Sequence, residues 1–401
     1  MSMLILKSIK ERIRKNKIVV IISLINSVIL LILTYILNNQ SLFTGENLNQ
    51  YAWMEFIKEK CNLSQQGDYK DALFINVAYD KKLVNIVDDY DNPLGNTDVT
   101  DREKLSRILS MLDSTKQYKY IFLDIIFEKG YEDPEYDSTL FAKIKSMKNI
   151  VIAKNEDVEI VDTTLLEKAS FNNYTSTIIE TNFARYKFSY KGEPSMPLFA
   201  YKDLTGKTIN NHGILYFCEN KLCYNSLFLQ FPPHKFPEYN DKGEKMYYHL
   251  GNDILKEYNA ETLGTLSKNK YVFIDNMVDN LHDTYSGMKP AAVITYHALH
   301  SLLDEQHIVS FKLIFFLGVV FFVLSLSLFD KKPILTNIPF IRRSNSKFLH
   351  FVVSFIAYSI ILVFIVVLLY MFFNVSISIF IPSLYFSLQK IFIDYKRFSK
   401  S

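Results

Sequence analysis

The sequence predicts an α/β domain joined to four transmembrane α-helices. Three observations support this fold class: four long runs of the 401 residues are apolar, strand-like and helical segments alternate between residues 70 and 153, and the net charge is negative within the span 38–310 and positive outside it. We expect a mostly parallel sheet with a β-rich antiparallel insertion in the domain, which would lie outside the cytoplasm.

The first apolar run is 18–37, IVVIISLINSVILLILTYIL, twenty residues without a charge. At about 1.5 Å per residue, a helix of this length spans about 30 Å, the thickness of a hydrocarbon core. A cleaved signal peptide is the alternative, because basic residues precede the run. Its apolar region is usually only about 7–15 residues long, however, and the following NNQSLF does not resemble a small-residue cleavage site. We therefore expect an uncleaved anchor. Within the run, Asn26 and Ser27 could hydrogen-bond to a neighbouring helix, within one chain or across a dimer.

Three further apolar runs are predicted to cross the membrane, at 311–329, 348–373 and 375–393. The last is the least apolar, since it carries Pro382, Gln389 and Lys390, and Asn374 is predicted to form a tight turn before it. Buried core helices are the alternative for all four runs. The last two, however, total some forty nearly continuous apolar residues, which favours membrane crossings.

The distribution of charge predicts which segments face the cytoplasm. Residues 1–17, the loop 330–347 and the tail from Lys390 together carry a net charge of +12, whereas 38–310 carries −10. Because basic loops stay in the cytoplasm, four crossings place both termini, including the tail 394–401, inside and 38–310 outside. Three crossings would leave the basic tail outside. We therefore expect a multi-pass protein of the cell membrane, with the lipid bilayer as its first partner.

The domain at 38–310 changes its hydrophobic pattern along the chain. Short apolar runs at 72–78, 120–127 and 149–153 predict buried strands, and helical periodicity at 101–112 and 139–147 predicts the helices between them. Residues 158–235 contain short aromatic and β-branched segments separated by turn residues, which indicates antiparallel strands. The pattern of a core strand returns at 271–274, and a helix is predicted at 291–303.

Five residues are predicted to line a ligand site, because they follow strands or begin helices: Asp80, Arg102, Asp124, Asp137 and Asp283. In open α/β sheets, ligands bind beyond the carboxyl ends of the strands. Arg102 and the carboxylates could therefore hold a small ligand or a cation. The alternative is structural: Asp101 and Asp137 would cap helices, and Arg102 could pair with Asp124.

Cys218 and Cys223 flank the sequence ENKL between two strand-like segments. In an oxidising compartment, a disulfide closing this hairpin would be geometrically plausible, with a modest stabilising effect because the loop is short. A reduced pair is the alternative. Cys61 would stay unpaired in either case.

Several classes of function are excluded by spacing. The closest glycines, Gly206 and Gly213, are seven residues apart, which excludes the phosphate-binding loop, the dinucleotide fingerprint and the nucleophile elbow. C-x-x-C and H-E-x-x-H are absent. His297 and His300 read as ordinary surface or interfacial histidines, and 128–137 as a solvated loop. We therefore expect no metal and no cofactor, and the acidic domain argues against nucleic acid as a partner.

Three segments together resemble the extracellular sensory domain of the CHASE class, type two (cyclase/histidine-kinase-associated sensory extracellular). They are INVAYDKKLV with NPLGNTDVTDREKLSRIL, then YKYIFLDIIFEKGYEDPEYDSTLFAKIKSMKNIVIAK, and finally YVFIDNMVDNLHDTYSG through ITYHALHSLL. The resemblance covers about 70–153 and 268–303 and includes one membrane helix before the domain and three after it. Asp275 stands where the family usually has glycine.

The resemblance implies a bacterial inner-membrane sensor that detects an envelope or extracellular signal and relays it through its membrane helices. Family members often continue into a kinase or cyclase, but the predicted cytoplasmic segments total only 47 residues. We therefore expect a non-enzymatic protein that acts through an unidentified effector or membrane partner. A scaffold subunit of a membrane complex and an envelope hydrolase are the alternatives, and a homo-oligomer stays open.

Overall fold

The structure, a computed structural model, describes residues 17–39, 48–61, 69–87, 93–155, 157–171, 185–232, 236, 238–239, 243–329, 347–373, 375, 377 and 379–398. The predicted basic segments 1–17 and 330–347, apart from Lys17 and Lys347, lie outside these residues, as do the end of the tail and the turn predicted at Asn374. The chain divides into a membrane unit, Met1–Glu46 with Ile308–Ser401, and an α/β unit, Asn47–His307.

The described residues form α-helices in both units, namely α1 (Lys17–Asn39), α2 (Leu48–Lys60), α3 (Arg102–Thr115), α4 (Asp137–Ser146), α5 (Met196–Thr205), α6 (Leu255–Glu257), α7 (Ala260–Ser267), α8 (Ala291–Leu303), α9 (Phe311–Phe329), α10 (Lys347–Phe373) and α11 (Phe380–Phe398). A 3₁₀-helix spans Thr163–Lys168, and a π-helical turn spans Leu250–Ile254.

The strands all belong to the α/β unit, namely β1 (Ala72–Asn76), β2 (Lys81–Val87), β3 (Pro93–Thr100), β4 (Tyr120–Asp124), β5 (Ile150–Lys154), β6 (Ala169–Phe171), β7 (Arg185–Lys187), β8 (Ser189–Tyr190), β9 (Glu193–Pro194), β10 (Ile209–His212), β11 (Leu215–Cys218), β12 (Lys221–Cys223), β13 (Ser226–Phe228), β14 (Tyr247–His249), β15 (Tyr271–Asp275), β16 (Leu281–Thr284) and β17 (Gly287–Pro290).

Six of these strands form one parallel sheet in the order β14-β1-β15-β4-β5-β6. The predicted parallel sheet is therefore confirmed, and the four apolar runs that predicted it are its central strands β1, β15, β4 and β5. After β1 the chain builds the sheet toward β6, then returns to add β14 on the other side of β1 and β15 between β1 and β4. The order thus reverses around β1 and β15, the kind of position at which α/β sheets bind ligands.

The two faces of the sheet carry different side chains, because successive residues of a strand point to opposite faces. One face is aliphatic, with Leu73, Ile121 and Val272 in a buried cluster that includes the leucines and isoleucines of α3, α4 and α7. The other face is aromatic. Phe74, Phe273 and Phe122 are adjacent in register, and Phe273 stacks on its neighbours at ring distances of 5.1 and 4.7 Å. Both faces are therefore buried, as the continuous apolar runs predicted.

Helix α3 begins and ends where its sequence predicts. The side chain of Asp101 accepts a hydrogen bond from the backbone N–H of Lys104 at 3.1 Å, so the predicted N-cap is confirmed. The predicted N-cap of α4 is wrong: the cap residue is Tyr136, and Asp137 lies in the first turn. Its carboxylate instead accepts from the backbone N–H of Asp133 at 2.8 Å and lies beside Arg102.

The insertion between β6 and β14 contains the predicted antiparallel strands. They form the three-stranded sheet β10-β11-β12 and the pairs β7 with β13 and β8 with β9. The elements that were not predicted from the sequence include α5 and the hairpin of β2 and β3, whose residues were interpreted as a loop.

Three described helices of the membrane unit are long and apolar enough to cross a bilayer: Lys17–Asn39, Phe311–Phe329 and Phe351–Phe373. Their exposed side chains are apolar, such as Ile18 and Leu24 of α1, whereas Ser23 and Asn26 of the same helix are buried. A soluble helix shows the reverse arrangement, since its polar side chains face water. These helices therefore identify a membrane protein.

Asn26 joins three helices of this unit through hydrogen bonds. Its amide group donates to the hydroxyl of Ser325 at 2.8 Å and to the side-chain oxygen of Gln389 at 3.2 Å. Its oxygen accepts from the hydroxyl of Tyr385 at 2.6 Å and from the amide of Gln389 at 2.8 Å. Ser27 donates to the carbonyl of Gly318 at 2.9 Å. Hydrogen bonding of Asn26 and Ser27 to neighbouring helices is thus confirmed, within one chain.

The predicted fourth crossing is not confirmed. The apolar part of α11, Phe380–Ile393, is shorter than the three candidate spans. In addition, Phe355 contacts Phe380 and Tyr358 stacks on Phe386, so the contacts follow the same order along α10 and α11. Two successive crossings would run in opposite directions and reverse that order. The outward face of α11 is nevertheless apolar, with Phe380, Leu388 and Phe392 exposed.

Candidate functional site

Three polar residues lie side by side at the carboxyl edge of the sheet. Asn76 ends β1, Asp275 ends β15 and Asp124 ends β4, and Asp275 is the register partner of the other two. Apolar residues fill the strands before them and place these side chains at the rim. Asp124 was predicted from the sequence, whereas Asp275 was noted only as a replacement for glycine.

Asn280 joins the two carboxylates. Its amide group donates to Asp275 at 2.9 Å and to Asp124 at 3.3 Å. Asp275 also accepts from the backbone N–H of Ala292, in the first turn of α8, at 3.0 Å. Its complete burial raises its pKa to about 6, although the hydrogen bonds from Asn280, Ala292 and Asn276 act in the opposite direction. Asp275 therefore fixes the start of α8 relative to the rim of the sheet.

Asn76 holds the two loops that follow β1 and β15. Its oxygen accepts from the backbone N–H groups of Ala78 at 3.0 Å and Met277 at 3.1 Å, and its amide nitrogen lies 3.2 Å from Nδ1 of His249. Asn76 is fully buried. It holds the two loops rigidly at the rim, and the only signal in the sequence that could have identified it is its position as a polar residue inside the apolar run 72–78.

A cavity of about 510 Å³ opens at this rim, within the size range of small-ligand sites. The loop after β15 contributes Asn276 and Asn280, the end of β4 contributes Asp124, and α3 contributes Arg102. The wall is polar and apolar in nearly equal parts, and its lining residues are Val77, Lys81, Thr97, Asp98, Val99, Thr100, Arg102, Asp124, Ile125, Ile126, Glu128, Tyr131, Asn276 and Asn280. The unpredicted hairpin of β2 and β3 supplies several of these residues.

Arg102 is held by an ion pair with Asp137. Its Nε lies 3.2 Å from Oδ1 of Asp137, its guanidinium lies 4.5 Å from the centre of the Phe127 ring, and only 2% of the residue is exposed. Burial lowers the pKa of Arg102, and the carboxylates of Asp137 and Asp133 oppose that effect. The sequence suggested an ion pair between Arg102 and Asp124, but Arg102 pairs with Asp137 instead. This buried pair fixes Arg102 in the cavity wall.

Asp80 connects three segments beside the site. It accepts from Lys104 at 2.7 Å and from the backbone N–H of Gly251 at 3.0 Å. Its hydrogen bond to Lys104 is the main cause of the raised pKa of that amine. Asp80 does not line the cavity. Its role is to tie the loop after β1 to α3 and to the π-helical turn.

Asp283 lies away from the cavity, exposed on β16 opposite Met288. The structure thus brings two of the five predicted residues, Arg102 and Asp124, into the cavity wall, and Asp137 contacts Arg102. Asp283 was expected at the rim because residues 281–284 were interpreted as a loop there. These residues instead pair with β17 in a separate hairpin.

Cys218 and Cys223 lie on neighbouring strands but are not opposite each other. Cys218 faces Lys221 across the hairpin, and Cys223 faces Tyr216. Burial raises the pKa of both thiols, to about 12 for Cys223. Diagonal partners of this kind have Cα atoms about 7–8 Å apart, beyond the usual reach of a disulfide. The disulfide stays a prediction, and closing it would require movement of the hairpin.

The two histidines of α8 differ in their surroundings. Nε2 of His297 lies 3.2 Å from the hydroxyl of Tyr69, and burial lowers the pKa of His297 to about 3. His297 is therefore neutral at physiological pH. His300 lies 3.2 Å from the carboxylate of Asp71, which also accepts from the hydroxyl of Tyr296 at 2.9 Å. Within the described residues, no group of three or more metal-ligating side chains includes them.

No family model, curated protein or solved structure matches this chain. The resemblance to the CHASE type-two domain therefore stays a prediction carried by 70–153 and 268–303. The site itself is a cavity at the rim of a parallel sheet, connected through Asn280 and Asp275 to the first turn of α8.

Proposed function

We propose that this membrane protein is a sensor whose α/β unit lies outside the cytoplasm and binds a small polar molecule in the cavity at the sheet rim. One observation carries the proposal. Asn280 lines the cavity and at the same time donates to Asp275, which holds the first turn of α8. A ligand that changes the hydrogen bonds of Asn280 therefore acts on the helix that leads toward the membrane.

The signal would pass along the covalent chain from α8 to α9. Helix α8 ends at Leu303, and α9, a candidate membrane span, begins at Phe311. Only seven residues separate them, so a displacement of α8 reaches α9 through a short connection. A ligand shifts such an equilibrium only if it binds one arrangement more tightly than the other. The contact with Asn280 supplies that difference, because Asn280 cannot keep both of its carboxylate partners while it also donates to a ligand.

The wall of the cavity combines charged and hydrogen-bonding groups with a similar area of apolar side chains. It offers carboxylates at Asp98, Asp124 and Glu128, an ammonium group at Lys81 and a phenol at Tyr131. Such a wall favours a small molecule with several hydrogen-bonding groups, including a positive one opposite the carboxylates. This description fits the envelope or extracellular signal that the sensory resemblance implies.

The membrane topology that we propose follows from charge and from the helix pair α1–α9. Asn26 bonds to Ser325, whereas a Cβ at Gly318 would lie 3.6 Å from Leu31, so α1 and α9 are antiparallel. The end of α1 and the start of α9 are therefore at the same end of the pair, where both connect to the α/β unit. The positive-inside rule places that end outside and the basic segment 330–347 in the cytoplasm. Four crossings, with the tail 394–401 inside, stay part of the proposal.

The output of the sensor is proposed to reach a separate effector protein through the membrane helices or the 330–347 loop. Purification of the tagged full-length protein in mild detergent, followed by mass spectrometry, tests this step. A partner should be recovered with wild type and be lost when the basic residues of the loop, Arg342 and Arg343 among them, are replaced by glutamine. Recovery of the protein alone under crosslinking conditions would contradict the relay.

Ligand binding is tested on the same purified protein. Its thermal unfolding is followed in the presence of millimolar amino acids, polyamines, sugars and dicarboxylates, each added singly. At least one class should raise the melting temperature, and Asn280→Ala should abolish that rise. Asp283→Asn is the matched control, since Asp283 lies away from the cavity. A rise that persists in Asn280→Ala, or no rise with any class, would contradict the assignment of the cavity.

The two alternatives, a hydrolase and a scaffold subunit, require different features of the cavity. A hydrolase needs a carboxyl group of raised pKa facing the substrate, but the described carboxyl groups that have one, Glu55, Asp137 and Asp275, do not line the cavity. A scaffold subunit needs no cavity at all. It would show partner recovery that is insensitive to every cavity substitution, which separates it from the sensor.

A further inference from the structure

Helix α2 is tied closely to the membrane by the length of the chain before it. Helix α1 ends at Asn39 and α2 begins at Leu48, so nine Cα–Cα steps separate the two residues. A fully extended chain advances at most about 3.3–3.6 Å per residue, which limits the distance to about 30 Å. Since α1 crosses the bilayer, α2 is confined to a zone close to the membrane surface.

The two sides of α2 differ in exposure. Met54 and Lys58, one turn apart, are each only 2% exposed, and Glu55 between them is close enough to Tyr285 of the α/β unit to help raise the pKa of that phenol. Trp53 and Phe56 lie together on another side, where they are 68% and 51% exposed. Their rings are in edge contact at 6.3 Å, and Nζ of Lys60 lies 5.4 Å from the centre of the Phe56 ring. Two large aromatic rings and an amine therefore form one exposed surface, the α2 aromatic face.

The composition of this face matches the interface of a bilayer. Tryptophan is enriched at the level of the lipid head groups, because its apolar ring enters the acyl region while its N–H stays near water. Phe56 adds apolar area beside it, and an ammonium group such as that of Lys60 is attracted to lipid phosphates. Two rings are too small an area for a stable protein–protein interface, which buries about 800 Å² on each partner.

We propose that α2 is an interfacial helix, whose aromatic face inserts Trp53 and Phe56 into the head-group region of the leaflet next to the α/β unit. Lys60 lies at the level of the phosphates. The buried side of α2 holds the α/β unit, so the helix fixes that unit against the membrane at a second place besides the covalent connections. This inference rests on the membrane assignment and is independent of ligand binding and of the direction of signalling.

Trp53 reports on its own surroundings, because it is the one tryptophan of the chain. The full-length protein is reconstituted into phosphatidylcholine vesicles with and without acyl chains brominated near the head group, and tryptophan fluorescence is recorded. Brominated lipid should reduce the emission at least twofold. Iodide, present on both sides of the membrane, should have a much smaller effect than it has on free tryptophan. Phe56→Ser should weaken the quenching by brominated lipid.

A relocated tryptophan provides the control. In Trp53→Phe/Tyr79→Trp, the reporter moves to position 79, which is 66% exposed and lies beside the carboxyl edge of the sheet. It should respond to iodide and not to brominated lipid. If Trp53 itself behaves in that way, the face is open to water and the inference is wrong. If Trp53 is protected from both quenchers, a protein surface covers it, and the inference is equally wrong.

Discussion

Gly251 is the residue that allows the π-helical turn to approach Asp80. A Cβ at this position would overlap Oδ1 of Asp80 and lie 3.3 Å from Nζ of Lys104. Gly251→Ala should therefore push Asp80 away from Lys104 and lower the free energy of unfolding by about 1–3 kcal/mol, the usual effect of overpacking. Thermal unfolding of the purified protein measures this. Gly318→Ala is the control, since its nearest contact, at 3.6 Å, is ordinary, and equal melting of the two variants would contradict the prediction.

Asp275 should make the stability of the protein depend on pH in an unusual direction. Its pKa in the folded state is about 6, above the ordinary value of 3.8. The folded state therefore binds the proton more tightly than the unfolded state does. The stabilising contribution of the protonated group is complete below about pH 4 and is lost as the pH rises through 6, by about 3 kcal/mol at most.

Asp275→Asn isolates this contribution, because asparagine keeps an oxygen for the N–H of Ala292 and does not titrate. The difference in unfolding free energy, wild type minus variant, should fall between pH 4 and pH 6 and stay constant above that range. Urea unfolding at a series of pH values measures it. Asp162→Asn is the comparison, since the bond to Lys145 lowers the pKa of Asp162 to about 2 and its difference should instead rise with pH between about 2 and 4. Parallel curves for wild type and Asp275→Asn would contradict the assigned pKa.

At the scale of elements, α11 bonds to α1 through one residue, Asn26. It carries Gln389 and Lys390, and Tyr385 and Gln389 both bond to Asn26 of α1. Asn26→Ala and Gln389→Ala should each destabilise the protein in detergent by about 1 kcal/mol, and the double variant should lose little more than either alone. Ser23→Ala, buried on the same helix one turn away, is the control. Additive losses would mean that the two residues act independently.

The elements that sequence predicted well are those whose pattern is local. The runs at 72–78, 120–127 and 149–153 are apolar enough to specify buried strands, and Leu105, Ile108, Leu109 and Leu112 specify the buried side of α3. The hairpin of β2 and β3 was missed because KKLVNIV and PLGNTDVT mix charged and turn residues with few apolar positions. Cross-strand pairing stabilises this hairpin, and such pairing leaves little periodicity in one strand.

Only part of the candidate site could be predicted from the sequence, for a related reason. Arg102 and Asp124 follow a helix start and a strand end, which are visible in one dimension. Asp275 and Asn280 depend on register: β15 lies beside β4 although it follows β4 by about 150 residues, so Asp275 and Asp124 become neighbours only through the strand order. Asn26 was noted because a polar residue inside an apolar run is itself a signal, but its partners Tyr385 and Gln389 are more than 350 residues away.

In the whole molecule, the charge distribution and the fold divide the chain at nearly the same positions. The net charge of +3 conceals an acidic span of −10 between basic segments that total +12. The α/β unit coincides closely with the acidic span, and the membrane unit contains the basic segments. The acidic span and the basic segments of the sequence therefore belong to different compact units. The proposed topology rests on this division together with the positive-inside rule.

Labelling of single cysteines in intact cells tests this arrangement. Lys202 is exposed on α5 of the α/β unit, and Cys218 and Cys223 are buried, so Cys61→Ser/Lys202→Cys presents one accessible thiol. A membrane-impermeant maleimide should label it in intact cells. Cys61→Ser/Ser2→Cys and Cys61→Ser/Lys331→Cys should be labelled only after permeabilisation, because basic segments stay in the cytoplasm.

Cys61→Ser/Ser401→Cys extends the test to the tail. Labelling only after permeabilisation supports four crossings, and labelling in intact cells supports the order of contacts between α10 and α11. Labelling of position 2 in intact cells, or protection of position 202, would reverse the orientation and remove the premise of an outward-facing sensor.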